Sequence, residues 1–239
     1  MSNAKLAQKL VESLQLKSPP IALSFVREAP INIPRFDATV PAGCSFWRKA
    51  EQGVLYTDAL DHVNCPVGMH AMGLPMSGET SEALMDLVVQ MGETCYLDGA
   101  EVPHIPTVAG EKSGIVYGPL TDLEDQPDAV LLWVTPYQAM LLQEATKAVA
   151  WTANSGVPTF GRPACAAIPA AMLKGTAVLS LGCMGMRTFT EVAQEQLLAV
   201  LPQQALAELT DSLQLATTAN QQMQQFYEQK QVSFNPFSA

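Results

Sequence analysis

Four cysteines stand in small-residue surroundings: "PAGCSFW" around Cys44, "HVNCPVGM" around Cys65, "GRPACAAIP" around Cys165 and "LSLGCMGMR" around Cys183. Four thiolates suffice for a tetrahedral zinc or an iron–sulfur cluster, because soft sulfur donors suit both. The usual signature is C-x-x-C, in which one tight turn delivers two donors, and this chain has no such pair. Its metal ligands, Cys44, Cys65, Cys165 and Cys183, would have to converge from four separate segments. Gly43, Gly68, Gly182 and Gly185 flank them; glycines let backbone come close to a bulky group and leave amides free to point at charged sulfur. Arg162, three residues before Cys165, and Arg187, four after Cys183, complete the candidate cofactor-binding set.

The same residues support two other readings. A single thiol could act as nucleophile or redox group, since a nearby guanidinium or a helix N-terminus favours the thiolate. Cys65, with His62 three residues before it and His70 five after, has the makings of a thiol–base pair. Alternatively the cysteines are structural, since free Cys is among the most buried residue types and packs as a small hydrophobe. The chain would then be a non-catalytic interaction protein. Met69, Met72, Met76, Met184 and Met186 lie near the cysteine turns. Thioether and thiolate together suit Cu(I), and methionine with Phe46 and Trp47 suits a flat apolar ligand such as a tetrapyrrole or flavin. Methionine at near-helical spacing is more commonly core filler. The leading expectation is a metal or iron–sulfur cluster serving redox chemistry or cofactor handling. A binding protein or enzyme with an apolar pocket and one reactive thiol is the alternative.

Composition removes other classes. The 239 residues carry 13 basic and 23 acidic side chains, a formal charge of −10, and the basic residues are scattered. Nucleic acid binding needs clustered Lys and Arg and is not expected. Neither G-x-x-x-x-G-K-[ST] nor a strand-led G-x-G-x-x-G occurs, so nucleotide binding has no support. His62, His70 and His104 show no H-E-x-x-H spacing. Asp58, Asp61 and the carboxylates of "TDLEDQPD" read as loop solvation. No window approaches the roughly 18 apolar residues of a membrane span. "MSNAKLAQKLVESLQLKS" reads as a capped helix, not a signal peptide, and five cysteines without an export signal suggest reduced thiols. The expected setting is the cytoplasm, with a small molecule or redox partner and no membrane partner. The Gln-rich C-terminal helix is the candidate surface for a homo-oligomer.

Strands alternating with helices imply an α/β (or α+β) fold, a mixed sheet with flanking helices in one domain over residues 1–239. Expected strands are "PPIALSFV", "VLYTD", "GIVYGPL", "DAVLLWV" and "TAVLSLG". Expected helices follow Cys44, start at Pro66, cover "SGETSEALMDLVVQMG", run from Thr135 to Trp151, and fill the Ala-rich stretch up to Gly175. The stretch from Cys95 to Gly114 reads as loop. From Glu195 on the chain reads as mostly helical, with an extension over 203–232 and a loose tail "SFNPFSA". The two cysteine-bearing regions can also be laid over one another. Each runs strand, connection, cysteine, short helix, glycine, strand, cysteine-turn, which suggests pseudo-symmetric half-repeats over 19–92 and 114–202.

The blocks "PPIALSF", "GCSFWRKA", "DHVNCPVGMHAMG", "VYGPL", "PDAVLLWVTPYQAMLL", "GRPACAAIP" and "LSLGCMGMR" occur in the order that resembles the family filed as domain of unknown function 169. The resemblance covers Pro19 to Pro202. It implies one whole-chain α/β domain and marks Cys44, Cys65, Cys165 and Cys183 as the motif cysteines, with Cys95 outside the pattern. It implies no reaction.

Overall fold

The protein is described from a computed structural model over residues 1–146 and 157–233. Helix α1 (Asn3–Leu14) starts where the Ser2 side chain accepts the Lys5 amide, and it buries Leu6, Leu10 and Leu14 on one face. Strand β1 (Ile21–Val26) follows two prolines, then come α2 (Ser45–Lys49) and β2 (Leu55–Asp58). Helices α3 (Pro66–Met72) and α4 (Gly78–Glu93) precede β3 (Gly114–Pro119). Next are β4 (Ala129–Val134), α5 (Pro136–Ala145), β5 (Thr159–Phe160) and α6 (Ala167–Lys174). The chain continues through β6 (Val178–Ser180), α7 (Met184–Thr190), β7 (Leu197–Pro202) and α8 (Gln203–Ser233).

The strands form one mixed sheet in the order β2-β3-β1-β4-β7-β6-β5, antiparallel except for the β5–β6 pair. Its central strands are unbroken apolar runs because both faces are covered. Ile21, Leu23, Ile115, Tyr117, Leu131, Trp133, Leu198 and Val200 face a core that also holds Phe46, Trp47, Met69, Met72 and Ile168. Ala22, Val130, Leu132, Val134, Ala199 and Leu201 face the other way, onto α1, α5 and the first turns of α8. The period of two along each strand thus sorts one sequence run into two cores. The mixed sheet with flanking helices is the architecture expected from the sequence.

The strand order is symmetrical about the β1–β4 pair. In the first half β3 lies between β2 and β1, and in the second β7 lies between β6 and β4, with β5 added at the edge. Cys44 precedes α2 as Cys165 precedes α6, and Cys65 follows β2 as Cys183 follows β6. The division at 19–92 and 114–202 places β3 in the second half, whereas the strand order makes β3 the counterpart of β7.

Other differences have physical causes. "LLAVLP" was expected to be helical, but it is β7, at the heart of the sheet. A short apolar run buried on both sides carries no period that separates strand from helix. The turn after Cys183 continues into α7, and part of the expected loop, Gly99–His104, winds into a 3-10 helix started by the Asp98 side chain. Helix α5 ends at Ala145 with Thr146 as its cap; residues 147–151 of the stretch expected to reach Trp151, and all but the first residue of the expected tail, lie outside the described residues. Among the described residues no helix is long and apolar enough to cross a membrane.

Gly114 shows how tightly β2 and β3 approach. A Cβ there would lie 2.1 Å from the Thr57 carbonyl oxygen and 2.6 Å from the Tyr56 ring. Gly114→Ala is therefore expected to destabilise the fold by about 1–3 kcal/mol or more in urea denaturation. Gly53→Ala, with nothing within 4 Å of the new methyl, is expected to stay within about 0.5 kcal/mol of the parent.

Candidate functional site

On the α2–α3–α6 side of the sheet lies a cavity of about 440 Å³, and Cys44, Cys65, Cys165 and Cys183 all line it. Each arrives at the start of a helix. Cys44 is the residue before α2, Cys65 the residue before α3, and Cys183 the residue before α7. Cys165 sits in the Ala164–Ala166 turn that runs straight into α6. Such positions carry backbone N–H groups that no helical carbonyl uses. The Cys183 sulfur accepts one of them, from Met186, at 3.4 Å. The amides of Gly43 and Gly68 approach the Cys65 sulfur without closing a full hydrogen bond.

The thiols sense one another. Burial pushes the Cys44 thiol up to about 12, and the neighbouring Cys65 and Cys183 add to the effect. Cys165 is raised by burial first and then by Cys65, Cys183 and Cys44. Burial also raises Cys65, partly offset by the Gly43 and Gly68 amides. A desolvated thiol stays protonated because the ion would lose its hydration, and neighbouring thiolates would repel. These three are thus held neutral. Among the described residues no group of three or more His, Cys, Asp or Glu side chains is arranged to hold a metal ion.

Helix α4 forms the cavity's roof. Its Leu84, Leu87, Val88 and Met91 line the space, yet Thr80 is its only buried residue. The helix rests on the cavity and not on the core. After it, Tyr96 ties the roof to the opposite wall. Its hydroxyl accepts the Met184 amide at 3.0 Å, and the Arg162 guanidinium lies 4.1 Å over its ring. Such a stack contributes about 0.5–1 kcal/mol at an exposed site.

The deeper wall carries polar groups that sequence reasoning did not assign together. Tyr117, from β3, is fully buried, and its hydroxyl receives a hydrogen bond from the Trp47 side chain. Burial and the adjacent thiols Cys165, Cys44 and Cys65 raise its pKa. His62 is 2% exposed; its Nε2 lies 3.0 Å from the Thr57 hydroxyl and its Nδ1 has no hydrogen-bond partner. Burial lowers His62 to about 4 in spite of the nearby Asp61.

Of the residues expected to bind a cofactor, Gly43, Gly68, Gly185 and Arg162 reach the wall beside the four cysteines. Gly182 and Arg187 stand outside it. Gly182 takes φ +86° with the Met186 methyl packed against it, and Arg187 donates to the carbonyls of Leu181 and Gln196. Arg187 therefore braces the loop behind Cys183. Arg162 is engaged by Tyr96, not by a thiol. Of the five methionines, only Met72 and Met186 line the cavity. Phe46 packs behind it, against His62. Asp58 and Asp61 form a capping box and pair with Arg35, in keeping with a structural role. The roof was the main omission. Its signal was a 16-residue helix with one apolar stripe and no obvious core partner.

The family model described as DUF169, uncharacterised ArCR, matches residues 9–212. An uncharacterised protein of the archaeon Methanocaldococcus jannaschii is 26% identical over 219 residues, covering 87% of this chain and 92% of that protein. No solved structure matches.

His62 sets a pH dependence. The unfolded chain takes up a proton near the ordinary histidine value of 6.5, whereas the folded chain resists until about 4. This contribution is complete above the upper value and is lost as pH falls through the window, with a slope approaching about 1.4 kcal/mol per pH unit. Urea titrations across that window are expected to show the slope, and His62→Gln is expected to remove it. A second outcome concerns access. Timed iodoacetamide labelling read by mass spectrometry is expected to modify exposed Cys95 first and Cys44 and Cys165 far more slowly. Tyr96→Ala, which frees the roof, is expected to speed Cys165 several-fold.

Proposed function

The chain belongs to this family, whose description carries no reaction, and we propose that its four-thiol cavity holds a thiophilic metal cofactor of the iron–sulfur class for redox chemistry or cofactor handling. The observation that carries the reading is that cysteines from four separate helix starts all line one cavity. Packing alone needs small apolar groups there and gives no reason for four cysteines to line one cavity. A cationic cluster does: it takes the thiolate form from all four, replaces their protons and cancels their repulsion. The Met186 amide on the Cys183 sulfur and the Gly43 and Gly68 amides near the Cys65 sulfur complement charge on those two.

A lone zinc suits the cavity less. It needs ligands about 2.3 Å from a single point, whereas cluster thiolates stand roughly 6–7 Å apart. No such single-ion grouping occurs among the described residues. In the metal-free state a low-pKa nucleophile is disfavoured at Cys44, Cys65 and Cys165, which burial holds as thiols. The symmetrical strand order fits the same proposal, with each half acting as a repeat that contributes two cysteines.

Anaerobic expression with iron, followed by iron and acid-labile sulfide analysis, is expected to give stoichiometric metal and a brown charge-transfer band. Cys44→Ser or Cys165→Ser is expected to lose most of the iron, and Cys95→Ser none. Folded protein that holds neither iron nor zinc above trace after reconstitution with ferrous iron and sulfide would overturn the assignment.

A further inference from the structure

Helix α8 outruns the body it packs on. Its 31 residues span about 46 Å. Leu206, Leu209 and Leu213 are buried, the Thr217 hydroxyl donates to the Ser13 carbonyl, and the Asn220 side-chain amide donates to the Glu144 carboxylate. Those contacts hold the helix to α1 and to the end of α5. Beyond them every residue from Gln221 to Gln231 is exposed. A Gln-rich helix with no packed face is marginal in water, because helical stability in proteins comes mostly from burying one side.

The exposed turns carry an apolar seam. Leu215 is 74% exposed, Met223 47%, Phe226 53% and Tyr227 60%. Leu215, Ala219, Met223 and Phe226 fall within an arc of about 80° on the helix surface. That arc stands about a third of a turn from the buried leucines, so the body does not cover it.

Charge and shape select what covers the seam. From Ser212 to Tyr227 no side chain is charged, and Lys230 is the one basic residue of the helix. A charged partner would find nothing to pair with, and a lipid surface calls for Lys and Arg beside the apolar face. Two copies of a chain with a charge of −10 repel one another over most of their surface, and this uncharged stretch is where they meet without like charges. The seam also matches itself. Run antiparallel about a midpoint between Gln222 and Met223, it sets Phe226 of each copy against Ala219 of the other, large against small.

We propose that two copies of this chain associate through the Leu215–Tyr227 stretch of α8, as an antiparallel helix pair with Phe226 of each packed on Ala219 of the other. Helix α8 packs on the sheet face opposite the cavity, so the pairing does not depend on the metal reading.

Sedimentation equilibrium of the full chain in reducing buffer, where exposed Cys95 forms no cross-link, is expected to show a monomer–dimer equilibrium. Phe226→Glu is expected to weaken the dimer at least about tenfold, because a carboxylate is then buried against Ala219. Ala219→Lys is expected to do the same by setting an ammonium on Phe226. Both positions are exposed in the single chain, so neither change removes core packing. Ile31→Glu, at a side chain 98% exposed elsewhere on the surface, is expected to change nothing. An equimolar mixture of the Phe226→Glu and Ala219→Lys chains is expected to recover the dimer. One end of the seam then pairs the new lysine with the new glutamate, and the other keeps the wild-type contact. A parallel pair would set each position opposite itself and gain nothing from mixing. The proposal is overturned if the chain is monomeric at about 100 µM, if Phe226→Glu leaves the dimer unchanged, or if the mixture associates no better than either variant alone.

Discussion

The antiparallel pairing of β1 with β4 is the contact on which the cavity depends. Ile21 stands opposite Leu131 and Leu23 opposite Ala129, joining the two halves of the sheet at its centre. The first half contributes Cys44, ahead of α2, and Cys65, after β2; the second contributes Cys165, ahead of α6, and Cys183, after β6. Only with the halves aligned do Cys44 and Cys65 share a wall with Cys165 and Cys183. Alternate residues of β1 and β4 point into the two separate cores, so a one-residue slip would turn Ile21 and Leu131 away from the cysteine side. The register of this pair is thus a condition for the site's composition.

Given that frame, the site's electrostatics follow from dehydration. The sheet and short helices exclude water from the sulfurs, and each buried thiol resists ionisation more when its neighbours are near. Such a site is stable while its protons are in place. A metal that replaced them would have to supply positive charge, and the amides beside Cys65 and Cys183 would complement those two sulfurs. The roof is built on different terms. Helix α4 buries little of itself: Val89 is exposed, and Met85, on the cavity wall, is exposed as well. Its hold comes chiefly from its contact with α3, the turn after it and the Tyr96 link, which suits an element that must admit a guest to a rigid wall.

The legibility of the chain divides along physical lines. Apolar runs started by proline, a proline at the first turn of α3 and a Ser77 cap on α4 are local signals, and the corresponding elements stand where the sequence places them. The four motif cysteines could be singled out because their small-residue contexts recur. Their sharing of one wall was not readable, because it depends on the pairing of β1 with β4 across more than a hundred residues. β7 was misread because "LLAVLP" owes its strand to neighbours on both sides, not to its own period. That Arg187 turns to its own loop's carbonyls was not readable either, because proximity in sequence does not say where a guanidinium points. The unpartnered Nδ1 of His62 was invisible for a similar reason: which ring nitrogen meets Thr57 is decided by the fold.

The thiol wall and the buried imidazole meet at Gly43. A Cβ at that position would lie 3.0 Å from the His62 Nδ1, so a larger residue would press on the ring. The Gly43 amide is directed at the Cys65 sulfur, and the Cys65 amide donates to the His62 carbonyl at 2.8 Å. Gly43, His62 and Cys65 therefore form a closed triangle of short-range contacts. Because the Cys65 amide is tied to the His62 carbonyl, a displacement of either residue moves the backbone of the other.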